Sequence, residues 1–178
     1  MSISKIIIDI IVPFATPIII LLLGIWAKNI AINYEKRASL NDRIIKKRVD
    51  IYETIGKDLN DIFVYLLQVG DWKEFSPNQI IEKKRDIDRN MYISRPYWSD
   101  SAFLSYTEFM NIAFETYTGV GSNAKIKTNT YQLKTLPNWE ESWEKLFSNV
   151  PTEMKVIIEK YSLLIKNLSS EFGYRQDL

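Results

Sequence analysis

The chain has 178 residues, with 23 basic and 22 acidic side chains, no histidine and no cysteine. That length suits one domain with a short appendage. Without cysteine there is no disulfide framework, thiolate metal site or cysteine nucleophile. Without histidine there is no Ser-His-Asp triad, no His-ligated zinc and no imidazole base. Composition excludes those chemistries; together with the lack of a catalytic motif further along the chain, the expectation is a non-enzymatic protein with no metal and no cofactor.

Residues 6–27 read IIIDIIVPFATPIIILLLGIWA, and no charge occurs from Ile10 to Ala27. About 20 apolar residues in a helix cross the ~30 Å hydrocarbon layer. Eleven of the eighteen residues 10–27 are Ile, Leu, Val or Phe. At roughly −0.5 kcal/mol each they favour insertion by about 5 kcal/mol before prolines and polar groups subtract. A cleaved signal peptide would have a shorter apolar core and a small-residue cleavage site. The run is expected to be an uncleaved transmembrane anchor over residues 1–28.

Charge sets the expected orientation. Residues 28–48 carry seven cations, Lys28, Lys36, Arg37, Arg43, Lys46, Lys47 and Arg48, against Glu35 and Asp42. Only Lys5 precedes the span. The positive-inside rule places the N-terminus outside the cell membrane and residues 29–178 in the cytoplasm. Trp26 falls where interfacial aromatic residues sit. From residue 49 onward acids outnumber bases, nineteen to fifteen. Such a distribution fits a juxtamembrane basic collar and no nucleic-acid partner.

Asp9, Pro13 and Pro17 are four residues apart and share a helix face. One reading is a pore-lining stripe in an oligomer. The other is an acid reaching the outer interface beside two prolines that kink an anchor.

The rest of the chain predicts an all-α fold, a four- to five-helix antiparallel bundle entered by the helix that leaves the membrane. Leu40, Ile44, Ile51, Ile55, Leu59, Ile62, Leu66 and Val69 form one apolar stripe over 29–69, with Gly70 as the cap. Ser39-Leu40-Asn41-Asp42 offers an alternative break. Ser76-Pro77-Asn78-Gln79 is a capping box that opens a helix over 77–92. Ile80, Ile81, Ile87 and Met91 should face inward, with Lys83, Lys84, Arg85, Asp86, Asp88 and Arg89 outward. Asp100 or Ser99 caps a helix over 101–118, whose apolar face runs from Phe103 and Leu104 to Phe114 and Tyr117. Residues 122–137 read as a loop, in part extended. Asn138 with Glu141 predicts a short helix over 139–147. Pro151-Thr152 opens the last helix, 152–171, with Met154, Ile157, Ile158, Tyr161, Leu164, Ile165 and Leu168 as its stripe.

Few residues offer chemistry. Asp86 and Asp88 point about 200° apart on a helix and cannot share a metal. Gly119-Val120-Gly121-Ser122-Asn123-Ala124-Lys125 departs from the phosphate-loop pattern and follows a helix, not a strand. It reads as helix termination, or as a small anion nest aided by Lys125 and Lys127. Arg95, Tyr97 and Trp98 sit on one loop. They predict either a site for a planar anion, by stacking and bidentate contacts, or a plug at the bundle end.

The segments DIYETIGKDLNDIFVYLLQVGDWKE (50–74), KKRDIDRNMYISRPYWS (83–99) and FMNIAFETYTGVGSNAKIKT (109–128) resemble a group of bacterial proteins with one N-terminal span and a helical cytosolic domain. The resemblance covers roughly residues 50–130. It implies no catalytic residue and no assigned activity, and it suggests an anti-phage or toxin-like setting. The expected partners are the lipid bilayer and either further copies of the chain or another protein. The rival roles are a membrane-perturbing oligomer and a sensor of a nucleotide-like anion.

Overall fold

The computed structural model describes residues 3–116, 119 and 123–173, with side chains from Ile20 onward. The described residues are all-α apart from one small two-stranded sheet. The chain divides into two compact units, Met1–Ile44 and Ile45–Leu178.

Helix α1 spans Ile3–Leu67 without interruption. The possible break at Ser39–Asp42 does not form. Residues 29–55 contain neither proline nor glycine, so nothing displaces the backbone ladder in favour of a side-chain cap. In the first unit every residue from Ile20 to Ile44 is exposed, including Leu40 and Ile44 of the expected stripe. Among the described residues no helix is long and apolar enough to cross a membrane. Only residues 20–27 of the apolar run carry described side chains.

In the second unit α1 buries Ile51, Ile55, Leu59, Ile62 and Leu66. Its end differs from the expected glycine cap. Gln68 N–H donates to Tyr65 O at 3.2 Å and Val69 N–H to Val64 O at 3.1 Å. This is the Schellman arrangement, with Gln68 in the left-handed region at φ 57°. Gly70, also at positive φ, belongs to the turn that follows. Val69 therefore leaves the stripe and is exposed.

The capping box forms as its residues dictate. Ser76 N–H donates to Gln79 Oε1 at 2.8 Å, and Gln79 N–H donates to Ser76 Oγ at 3.3 Å. Helix α2, Pro77–Ile93, buries Ile80, Ile81, Ile87 and Met91. A 3-10 turn, Arg95–Tyr97, leads to helix α3, Asp100–Ala113, capped by Ser99.

Helix α3 stops short of residue 118. Phe114 turns to extended backbone, φ −136° and ψ 147°, and pairs with Ile126. Strand β1 is Phe114–Glu115 and antiparallel β2 is Lys125–Ile126. A parallel bridge from Ile126 to Phe147 extends the pairing. Burying Phe114, Ile126 and Phe147 together outweighs another helical turn. Leu104, placed inward by the sequence, is 58% exposed. Tyr117 lies outside the described residues.

The segment expected as a short helix over 139–147 is 3-10 helix, Glu141–Leu146. Its N-cap is Glu140, without a side-chain bond, and the Asn138 cap is not used. Helix α4 is Met154–Ser170 and starts after Glu153. The Thr152 hydroxyl caps nothing; it donates to Ile112 O at 2.6 Å. Met154 and Ile158 of the expected stripe are exposed, while Ile157, Leu164 and Leu168 are buried.

Pairings that run in opposite senses show the helix directions. Thr152 meets Ile112, Lys160 meets Glu108 at 2.9 Å, and Asn167 meets Ser101. Helices α3 and α4 are therefore antiparallel. Phe63 stacks on Tyr161 at 3.9 Å and Tyr52 meets Phe172 edge-on at 5.4 Å, so α4 also runs antiparallel to the last part of α1.

Candidate functional site

The Arg95 corner is built by the 3-10 turn between α2 and α3. Arg95 Nη1 donates to Trp98 O at 2.9 Å, and Nη2 pairs with Asp100. Its guanidinium carbon lies 4.6 Å from the centre of the Phe103 ring. Both forks and one face of the guanidinium are thus engaged within the chain. Trp98 is 4% exposed, and its Nε1–H donates to Ser94 Oγ at 2.9 Å. It plugs the core beside Phe172 and offers no face for stacking a ligand. Tyr97 is partly exposed, and its carbonyl accepts from Arg48 Nε at 2.6 Å. The corner is thus a joint within the chain, with Trp98 as a plug and the Arg95 guanidinium paired internally.

Lys125 sits half-buried in β2 opposite Glu115. Lys127 Nζ donates to Asn111 O at 2.9 Å, near the end of α3, where a cation meets the negative end of the helix. Helix α3 ends at Ala113, so Gly119 is not its cap. Val120, Gly121 and Ser122 of the possible nest lie outside the described residues.

The basic collar splits. Arg48 is drawn into the second unit: Nη2 lies 2.7 Å from Glu171 Oε2, and Nη1 donates to Glu171 O at 2.9 Å. Lys28, Lys36, Arg37, Arg43, Lys46 and Lys47 are exposed. Asp9, Pro13 and Pro17 belong to α1, but their side chains lie outside the described residues.

Two charged clusters escape a reading of single-helix faces. Lys83, assigned to a solvated surface, reaches across to α1 and pairs with Asp58 at 2.6 Å and Asp61 at 2.9 Å. Burial lowers the Lys83 pKa, but the bonds to the two carboxylates prevail and hold it above its ordinary value. Lys84, also assigned outward, is 7% exposed. It pairs with Asp88 and lies 5.6 Å from the centre of the Phe114 ring. Asp88 also accepts from the buried Tyr106 hydroxyl, whose pKa is raised by burial and by that carboxylate. The i,i+4 spacing of Lys84 and Asp88 was visible in the sequence. The burial of Lys84 under Phe114 was not, because it depends on the strand.

A groove of about 400 Å³ opens between the end of α1 and the start of α4, with Leu66, Gln68, Thr128, Asn129, Thr152 and Met154 among its walls. Much of its polar lining is spent on the chain itself. Thr128 Oγ donates to Leu66 O, Gln68 Nε2 to Asn129 O, and Thr152 to Ile112 O. Among the described residues no group of three or more acids is arranged to hold a metal ion.

No family model, curated protein or solved structure matches the chain, so the resemblance over residues 50–130 gains no support from them.

Proposed function

We propose that this chain is a non-enzymatic single-pass membrane protein. In this reading residues 6–27 form the anchor and the N-terminus lies outside. The helices from residue 45 onward form a cytoplasmic antiparallel bundle that self-associates or binds a protein partner. One observation carries the reading. Ile20, Leu21, Leu22, Leu23, Ile25 and Trp26 are 51–64% exposed and lie on all sides of one helix. A helix that is apolar all round is stable when its whole circumference is covered by an apolar medium. The uncharged run upstream, Ile10 to Ile19, lengthens it to bilayer thickness. The exposed cations that follow support a cytoplasmic C-terminal side. The resemblance over residues 50–130 suggests a bacterial anti-phage or toxin-like setting. The engaged Arg95 corner gives the anion-sensor alternative no support.

Expression of the full chain with a C-terminal tag tests this. Expected is a membrane pellet that resists alkaline carbonate and dissolves in detergent, with the tag protected from protease added to intact spheroplasts. Recovery in the carbonate supernatant, or a tag cut from outside, overturns the anchor or its orientation. Native mass spectrometry of detergent-extracted material should show an assembly. A partner-free monomer overturns the association half.

A further inference from the structure

The cations of the first unit are not spread evenly round their helix. At about 100° per residue, Lys28, Lys36 and Arg43 fall within an arc of roughly 80°. Ile30 and Tyr34 lie roughly opposite that arc, and Arg37 also points well away from it. All of these residues are exposed, and they follow directly on the apolar residues 20–27. One side of the helix therefore carries a strip of three of the four cations of residues 28–44, bordered by Glu35 about 20° and Asp42 about 40° beyond Lys28, and joins end-on to the proposed anchor.

We propose that this strip takes anionic lipid headgroups, so that α1 leaves the bilayer leaning on its Lys28–Lys36 side. The proposal rests on the anchor reading above. Charge complementarity selects the occupant: the cytoplasmic leaflet carries negative surface potential, and each nearby cation contributes about fivefold in affinity. Height selects the residues. On an upright helix Lys36 stands about 12 Å beyond Lys28, and Arg43 about 22 Å beyond it. Screening falls off over about 8 Å. A lean toward the strip brings Lys36 within reach of the headgroups and leaves Arg43 outside it. The same lean turns the Ile30–Tyr34 side away from the lipid surface.

The chain contains no cysteine, so one engineered thiol reports alone. Ile32 lies on the strip side and Tyr34 roughly opposite, at nearly equal height. Full-length Ile32→Cys and Tyr34→Cys chains carry a fluorophore in nanodiscs of phosphatidylcholine, with or without phosphatidylglycerol and with a headgroup quencher. Stronger quenching at 32 than at 34 is expected in the anionic discs. The contrast should fall in neutral discs and in high salt. It should be lost in Lys36→Gln and kept in Arg37→Gln and Arg43→Gln. Equal quenching at both positions in discs that hold the protein overturns the lean and leaves the anchor standing. Equal loss from Lys36→Gln and Arg37→Gln overturns the one-sided strip in favour of net charge alone. A strip that responds to added RNA or an acidic protein but not to phosphatidylglycerol overturns the lipid assignment. Failure of the chain to enter discs overturns the anchor and this proposal together.

Discussion

Arg48 grips Glu171 twice: Nη2 meets the carboxylate at 2.7 Å, and Nη1 meets the main-chain carbonyl of the same residue at 2.9 Å. With Nε on Tyr97 O, one guanidinium ties α1, the turn before α3 and the end of α4 together. The Glu171 side chain is 9% exposed, so removing Arg48 strands a shielded carboxylate. Arg48→Ala is expected to cost about 2–3 kcal/mol, and Arg48→Lys most of that, because an ammonium cannot reproduce the fork. Thermal unfolding of the full chain in detergent, followed by circular dichroism, checks both. A Lys variant equal to wild type contradicts the fork geometry.

The Lys84–Asp88–Tyr106 cluster behaves as a unit only if Asp88 holds both partners. Tyr106→Phe should cost about 1–2 kcal/mol by removing one charge-assisted bond. Asp88→Asn should cost more, about 2–3 kcal/mol, because the shielded Lys84 loses its counter-charge. Adding Lys84→Met to Asp88→Asn should recover part of the loss. Additive single and double variants in a denaturation cycle would show that the three side chains are independent.

Gln68 occupies a backbone region that favours glycine, φ 57°. A non-glycine residue there costs roughly 1–2 kcal/mol. Gln68→Gly relieves that cost but gives up the amide bond to Asn129 O. The expected net is stabilisation of up to about 1 kcal/mol, with Gln68→Val destabilising by about 1–2 kcal/mol. Urea midpoints rank the three proteins, and a glycine variant less stable than valine contradicts the αL assignment.

Alkaline pH should unfold the second unit. Burial raises the Tyr65 and Tyr106 pKa values well above 10.0, and it pushes Tyr161 up to about 12. Lys83 is raised above 10.5 by Asp58 and Asp61, which outweigh its burial. For each group the folded state holds its proton more tightly than the unfolded chain. Their contribution is complete below the unfolded values, near 10.0 and 10.5, and is lost as pH rises through the folded ones. Stability should therefore fall progressively above about pH 10. Tyr65 sharpens the effect, since its buried hydroxyl has no hydrogen-bond partner among the described residues. Tyr65→Phe should flatten the alkaline limb of a Tm–pH curve, and an unchanged limb would contradict this linkage.

Local chemistry made several elements legible. Ser76 and Gln79 close a box whose geometry depends on four consecutive residues, and it forms. Ile80, Ile81, Ile87 and Met91 recur at helical spacing and are buried. The end of α3 was not legible. Phe114 continues the apolar face of the helix, and nothing nearby in sequence announces Ile126 or Phe147 as better partners. The Arg95 corner stayed open between two readings for a related reason. A basic and aromatic loop looks the same in sequence whether its groups face a ligand or one another.

By itself the sequence determined an all-α chain, an uncharged apolar N-terminal run, a collar of cations and the loss of histidine and cysteine chemistry. These follow from composition and from periods of three to four residues, which act through neighbours along the chain. Only the tertiary structure decided that Arg48 leaves the collar for Glu171, that Lys83 turns to Asp58 and Asp61, that Lys84 is buried, and that Trp98 is core. Those outcomes depend on which surfaces meet across tens of residues, where burial and charge pairing between distant segments outweigh local preference.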